Sequence, residues 1–199
     1  MVKYDSSVTK QWLRQLGGEG WDTSTGVGVD SSGNIYISAD TSGDFDGNSS
    51  AGESDIVLVK YNSSGTKQWT EQSGTSSHDS AEGMAMDSSG NVYVAGYTSG
   101  SLTGSNAGSH DLFLIKYNSS GTKQWTNQLG TSNSDQAFAV VVDSNDDIIV
   151  QGFNEGTLDG SNTAIGGYDI FLVKYNAAGT KQWSNLYGTS SSETTYGGL

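Results

Sequence analysis

Carboxylates recur at two fixed places along this chain. One set stands ahead of short apolar segments, at Asp22, Asp79 and Asp135, with Glu193 in the fourth place; the other stands ahead of long apolar runs, at Asp55, Asp111 and Asp169. Two kinds of chemistry fit such acids. A carboxylate at the mouth of a loop accepts backbone N–H bonds and organises the turn. Carboxylates gathered with loop carbonyls also hold calcium, a hard cation that takes roughly six to eight oxygen ligands. The best local candidate is DTSGDFDGNSSAGESD, residues 40–55, with Asp44, Asp46 and Asp55; Thr103 and Asp159 stand at the Asp46 place in the later copies. DSNDD, residues 143–147, also carries oxygens at alternate positions. Neither has the central glycine and distal glutamate of an EF-hand loop.

The two histidines, His78 and His110, each directly precede one of these recurring aspartates. Two imidazoles and two carboxylates on one rim could bind zinc or nickel, or they could be exposed loop side chains. Catalytic constellations are missing. There is no cysteine nucleophile, no G-x-S-x-G elbow leading into a helix and no glycine-rich phosphate loop opening one. Paired carboxylates of the glycosidase kind are expected by chance among so many acids. We therefore expect no enzyme, no catalytic residues and no cofactor apart from calcium.

The elements that position these residues repeat. KYNSSGTKQW occurs at 60–69 and again at 116–125, with KYNAAGTKQW at 174–183 and KYDSSVTKQW at 3–12. Its tryptophans, Trp12, Trp69, Trp125 and Trp183, stand 57, 56 and 58 residues apart. Each interval holds four segments. Strand A is GVGVD, GMAMD or AVVVD; strand B alternates, as in NIYIS and NVYVA; strand C is a nearly continuous apolar run such as DLFLIKY; strand D is KQW and its followers. DSSGN and NSSGT place glycine where a hairpin needs positive φ. Val8 replaces that glycine in the first copy, so that hairpin is expected to be distorted or frayed.

A four-stranded unit of this size cannot bury both faces alone, and radial stacking of such units makes a propeller. The fold class is thus all-β: a β-propeller of four-stranded antiparallel blades. The spacing predicts a C–D half blade at 1–19, full blades at 20–74, 75–130 and 131–188, and a partial strand A at 189–199. Each tryptophan fills the gap between blades or stacks on a ligand.

GNVYVAGYTSG from Gly90, then HDLFLIKYNSSGTKQW, then a G-x-S-x-x-D loop, resembles the bacterial and archaeal β-propeller-repeat family, known as SBBP repeats. Strands A and B also resemble those of NHL propellers, and the GTKQW hairpin resembles the tryptophan-docking hairpin of quinoprotein propellers. The resemblance implies a repeat array on a secreted or surface-exposed protein.

Charge narrows the partners. With 22 acidic and 9 basic residues the formal charge is −13, a field that repels nucleic acid and anionic lipid. Eight of the nine bases are the motif lysines, Lys3, Lys60, Lys116 and Lys174 with Lys10, Lys67, Lys123 and Lys181; Arg14 is the ninth. These read as snorkelling stems and edge protection. No apolar run is long enough to span a membrane, and the N-terminal residues are not expected to act as a leader peptide. Three and a half repeats leave open blade edges, which predicts either a homo-oligomer whose copies complete one ring of about seven or eight blade positions or form an open chain of arcs, or else a piece of a longer propeller. Three functions remain at this point: a non-enzymatic scaffold for protein interaction or self-assembly, a carbohydrate-binding propeller with Trp21, Tyr97, Phe153 and Tyr168 as stacking platforms, and a propeller hydrolase or lyase.

Overall fold

Glycine turns and alternating apolar residues fold each repeat into an antiparallel sheet whose strand order follows chain order. The computed structural model describes residues 1–158, 160 and 164–194. Asp159 and the last five positions of the expected terminal strand A lie outside them. At the N-terminus β1 (Val2–Tyr4) and β2 (Lys10–Leu13) form a two-stranded hairpin. The first full blade comprises β3 (Asp22–Val29), β4 (Ile35–Thr41), β5 (Asp55–Tyr61) and β6 (Lys67–Ser73). The second comprises β7 (Asp79–Met86), β8 (Val92–Thr98), β9 (Asp111–Tyr117) and β10 (Lys123–Leu129). The third comprises β11 (Asp135–Val142), β12 (Ile148–Asn154), β13 (Asp169–Tyr175) and β14 (Lys181–Tyr187). The protein is an all-β propeller array with no helix among the described residues.

The hydrophobic core lies between blades. Strand β7 packs across β3, β4 and β5, and β11 repeats this across β7, β8 and β9. One cluster joins Tyr36, Ile56 and Leu58 of the first blade to Val94, Phe113 and Ile115 of the second; another joins Tyr93, Leu112 and Leu114 to Ile148, Phe171 and Val173. The third lies between the N-terminal hairpin and the first blade, where Met1, Trp12 and Leu16 cover Ile35, Ile37 and Val59. As the unbroken apolar runs predict, the third strand of the first two blades is buried on both faces. The alternating second strands depart from expectation, because β4 and β8 are also buried on both faces. Tyr36 and Tyr93, each fully buried, pack into the seam clusters, and their hydroxyls donate to Asp30 at 3.3 Å and Asp87 at 3.0 Å in the first turn of their own blades. A tyrosine whose polar tip is satisfied buries its ring like a phenylalanine, so polarity alternation did not mark exposure.

One contact recurs at every seam. Three of the four repeat tryptophans pack against the C–D turn glycine of the next blade: Trp12 against Gly65, Trp69 against Gly121 and Trp125 against Gly179. A Cβ added at those glycines would stand 2.8, 3.0 and 2.9 Å from ring carbons, inside contact distance. The first motif lysine reaches over the same turn, with Lys3 Nζ donating to Ser63 O at 2.8 Å, Lys60 to Ser119 O at 2.8 Å and Lys116 to Ala177 O at 3.0 Å. The lysine heads thus bind turn carbonyls on the neighbouring blade while lying over aromatic rings, Lys60 Nζ 4.9 Å from the Tyr36 centroid and Lys116 Nζ 5.1 Å from that of Tyr93.

The Val8 turn keeps its bonds despite the expected distortion. Val8 N donates to Asp5 O at 3.0 Å, matching the 2.9 Å bond from Gly65 N to Asn62 O, and Val8 is held at φ 61. The surrounding turn bonds, including Ser7 N and Thr9 N to Asp5 Oδ1 at 2.9 Å, enforce a conformation that valine alone avoids.

Candidate functional site

The recurring aspartates share rungs of the sheets. Asp22, Thr41 and Asp55 stand side by side in the first blade, as do Asp79, Thr98 and Asp111 in the second and Asp135, Asn154 and Asp169 in the third. Each acid closes a loop of the same size. Asp55 Oδ2 accepts from Ala51 N, Asp111 Oδ2 from Ala107 N and Asp169 Oδ2 from Ile165 N, all at 2.8 Å. Asp79 and Asp135 accept from Thr75 N at 2.6 Å and Thr131 N at 2.5 Å, and Gly18 N and Thr189 N do the same to Asp22 and Glu193 at 2.9 Å. Gln72 and Gln128 donate at 2.8 Å to Asp55 and Asp111. This bonding gives the repeated acids an organising role at the loop mouths.

The three acids of the 40–55 loop have separate partners. Asp44 Oδ1 accepts from Ser50 N at 2.8 Å, Asp46 is engaged by Lys67 and Thr70, and Asp55 by Ala51 and Gln72. His78 and His110 meet on one blade, where both rings pack on Tyr97 at centroid distances of 5.8 and 5.2 Å. Burial, with the neighbouring His78, pushes the His110 pKa down. Among the described residues no three His, Asp or Glu side chains converge as a metal site.

A different set of side chains converges where sequence reasoning looked least. The innermost strand of every blade carries a β-bulge at the same place: Thr25 in β3, Glu82 in β7 and Phe138 in β11. Bulges re-aim a side chain and gather next to functional sites. One rung beyond the pair that flanks each bulge stands the penultimate residue of the next strand, Asp40 opposite Thr23, Tyr97 opposite Ser80 and Phe153 opposite Gln136, and the residue preceding the third strand is Ser54, His110 or Tyr168. The framework around them is nearly identical in all three blades, while these positions differ in every one. They grade from hydroxyl and carboxylate, through glutamate with tyrosine and histidine, to three aromatics.

The polar end is tightly coupled across the first seam. Ser80 Oγ lies 2.8 Å from Asp40 Oδ2 and 3.0 Å from Glu82 Oε1, and Ala81 N donates to Asp40 Oδ1 at 2.6 Å. One hydroxyl proton cannot serve two carboxylates. Burial pushes the Asp40 carboxyl up to about 7 against the lowering effect of Ala81 N–H and Ser80, and Glu82 and Tyr97 are also raised by burial. At the aromatic end Phe153 lies 5.3 Å from Phe138 and 4.8 Å from Tyr168. Phe153 is only 7% exposed, so its faces are occupied by neighbours; Trp21, at 86%, is the open ring of the expected stacking set.

Stacked four-stranded sheets, seams built on tryptophan and turn glycine, and a variable inner rim define a β-propeller-repeat array. Residues 11–46 and 68–103 each match the model of the SBBP family, the beta-propeller repeat. It is 30% identical over 183 residues to the regulatory protein FlaEY of Caulobacter vibrioides, a match covering 81% of this chain and 19% of that protein. It is 26% identical over 140 residues to an uncharacterized WD repeat-containing protein of Acanthamoeba polyphaga mimivirus, covering 59% of this chain and 10% of the other. The chain thus spans a fifth or less of the length of these curated relatives.

Proposed function

We propose that this array is a non-enzymatic scaffold for protein interaction, reading a partner along the inner rim where the bulged residues diverge. The observation that carries this reading is the grading of Thr25, Glu82 and Phe138 within an otherwise repeated frame. A segment with a cationic or hydrogen-bond-donating group would lie over Asp40 and Glu82, and its apolar end would lie over Phe138 and Tyr168. The net charge of −13 likewise favours a cationic partner. Relatives named as regulatory and WD repeat-containing proteins support a binding role over an enzymatic one. An extracellular or cell-surface location and association through uncovered blade faces belong to the same proposal, and no cofactor is required by it.

Peptides selected by phage display on the folded chain test this. They should be enriched in basic and aromatic residues and lose about tenfold or more in affinity on Phe138→Ala or Glu82→Gln. Selected binders indifferent to both substitutions would sink the rim reading. Exposed Trp21 favours a second reading, a carbohydrate-binding propeller, and glycan-array binding that Trp21→Ala abolishes would establish it.

A further inference from the structure

Two serines at equivalent places in the array face different neighbours. Each stands second in the turn between the first two strands of its blade, Ser31 after Asp30 and Ser88 after Asp87, at the end of the sheets opposite the loop-mouth aspartates. At the seam between the second and third blades, Ser88 N donates to Asp146 Oδ1 at 3.1 Å and Ser88 Oγ to Asp146 Oδ2 at 3.0 Å. One serine thus grips both oxygens of a carboxylate. At the seam between the first and second blades, the place of Asp146 is held by Gly90, which has no side chain to offer Ser31. Ser31 has no hydrogen-bond partner among the described residues. A cleft of about 430 Å³ opens between these two turns, with Ser31, Lys60 and Gly90 in its walls.

Lys60 brings positive charge to the cleft. Its Nζ donates to Ser119 O at 2.8 Å, which leaves two donors, and among the described residues no carboxylate stands within ion-pair distance of it. The equivalent Lys116 and Lys174 do have acids, Asp87 at 3.8 Å and Asp143 at 2.9 Å. Asp30 and Asp87 also line the cleft, but their carboxylates are turned into their own hairpins. Asp30 accepts from Ser32 N, from the backbone and side chain of Asn34 and from Tyr36, and Asp87 from the corresponding Ser89, Asn91 and Tyr93. The next seam has the matching pair, Asp87 and Asp143, and still holds the Asp146 carboxylate, so these charges do not forbid an anion.

We propose that this cleft binds the carboxylate of a small organic acid, gripped by the N–H and hydroxyl of Ser31 with Lys60 as counter-charge, in the place that Asp146 fills at the next seam. A backbone N–H and a hydroxyl aimed at two oxygens of one planar group suit a carboxylate. Both walls come from consecutive complete blades of this chain. The site uses none of the bulged residues and does not rest on the rim reading.

The chain supplies its own controls for the test. Succinate is titrated into isotope-labelled protein at constant ionic strength, with sodium chloride as the reference salt, and the backbone amides of Ser31 and Ser88 are followed by NMR. The Ser31 amide should shift to saturation with succinate and not with chloride. Gly90→Asp should raise the half-saturating concentration about tenfold or more, because the new carboxylate occupies the fork. A Cβ at Gly90 meets only Ser119 Cβ at 3.8 Å, and Asp146 adopts φ 60 at the same place, so this variant is sterically allowed. The double variant Gly90→Asp/Asp146→Gly should move the saturable response from Ser31 to Ser88. The proposal is overturned if Ser31 fails to shift or answers chloride and succinate alike. It is equally overturned if Gly90→Asp leaves the titration unchanged, or if Ser88 stays silent in the double variant.

Discussion

Asp40 and Ser80, forty residues apart in the chain, share a hydrogen bond of 2.8 Å across the seam between the first two blades. That bond couples blade stacking to a proton. Desolvation pushes Asp40 up to about 7, Asp135 rises to about 6 for the same reason, and burial also raises Asp79 and Glu82. A carboxyl raised in the folded state keeps its proton there after the unfolded chain, at roughly pH 4, has lost its own. The folded state then binds more protons, so stability falls as pH climbs through 6 and 7.

Other acids set the lower limit of that window. Desolvation opposes ionisation of Asp30 and Asp87, but bonds from Asn34 and Asn91 outweigh it and hold both below the usual range. Their contribution is lost as pH drops below about 4. Melting temperature should therefore peak near pH 5 and fall by roughly 5 °C toward pH 8. Asp40→Asn, which keeps an acceptor for Ala81 N–H, should flatten the alkaline side. A melt that is level from pH 5 to 8 in wild type would refute the coupling.

The seam turns predict opposite outcomes for two substitutions at one place in the repeat. Gly121 sits at φ 89 with Trp69 against it, so Gly121→Ala meets both backbone strain and the indole. A loss of about 2–4 kcal/mol in urea unfolding is expected from those two effects. Val8→Gly removes the strain of a β-branched residue at φ 61 that is 78% exposed among the described residues, and should gain about 1 kcal/mol. Equal losses from both substitutions would remove the seam account.

Tryptophans of one motif should differ in weight according to whether a neighbouring blade packs on them. Trp69 lies against Gly121 and stands edge-on to Tyr36 at 5.9 Å, whereas Trp183 is 39% exposed. Trp69→Ala should cost about 3–5 kcal/mol and Trp183→Ala about 1 kcal/mol or less, measured by denaturant titration monitored by far-ultraviolet circular dichroism.

The framework could be read from the sequence because its residues recur where the fold needs them. Trp12, Trp69 and Trp125 and the lysines before them report the same seam each time, and the turn glycines mark where the indole must approach. The rim could not be read in this way. Thr25, Glu82 and Phe138 lie at bulges, where one extra residue shifts the register and defeats a period of two. Asp40 meets Ser80 only because two blades stack, a pairing that no local spacing encodes. Self-similarity drew attention to aspartates that tie loops, while the residues that vary between copies hold the more distinctive chemistry.

The loop acids give a last prediction, concerning calcium. Placing an ion among Asp44, Asp46 and Asp55 would draw on carboxylates already engaged by Ser50 N and by Lys67 and Thr70, with the buried Asp55 Oδ1 left without a donor. Asp46 also sits at φ 55, where its backbone is committed to a turn. The Lys67 and Asp46 side chains are 38% and 23% exposed, so that ion pair itself contributes at most about 1 kcal/mol. Asparagine tolerates the left-handed region as aspartate does. Asp46→Asn should therefore lower stability only slightly, and the wild-type melting temperature should be the same in millimolar calcium as in chelator. A calcium-dependent rise in melting temperature that Asp46→Asn abolishes would show instead that the loop rearranges around an ion and that Lys67 is displaced when it does.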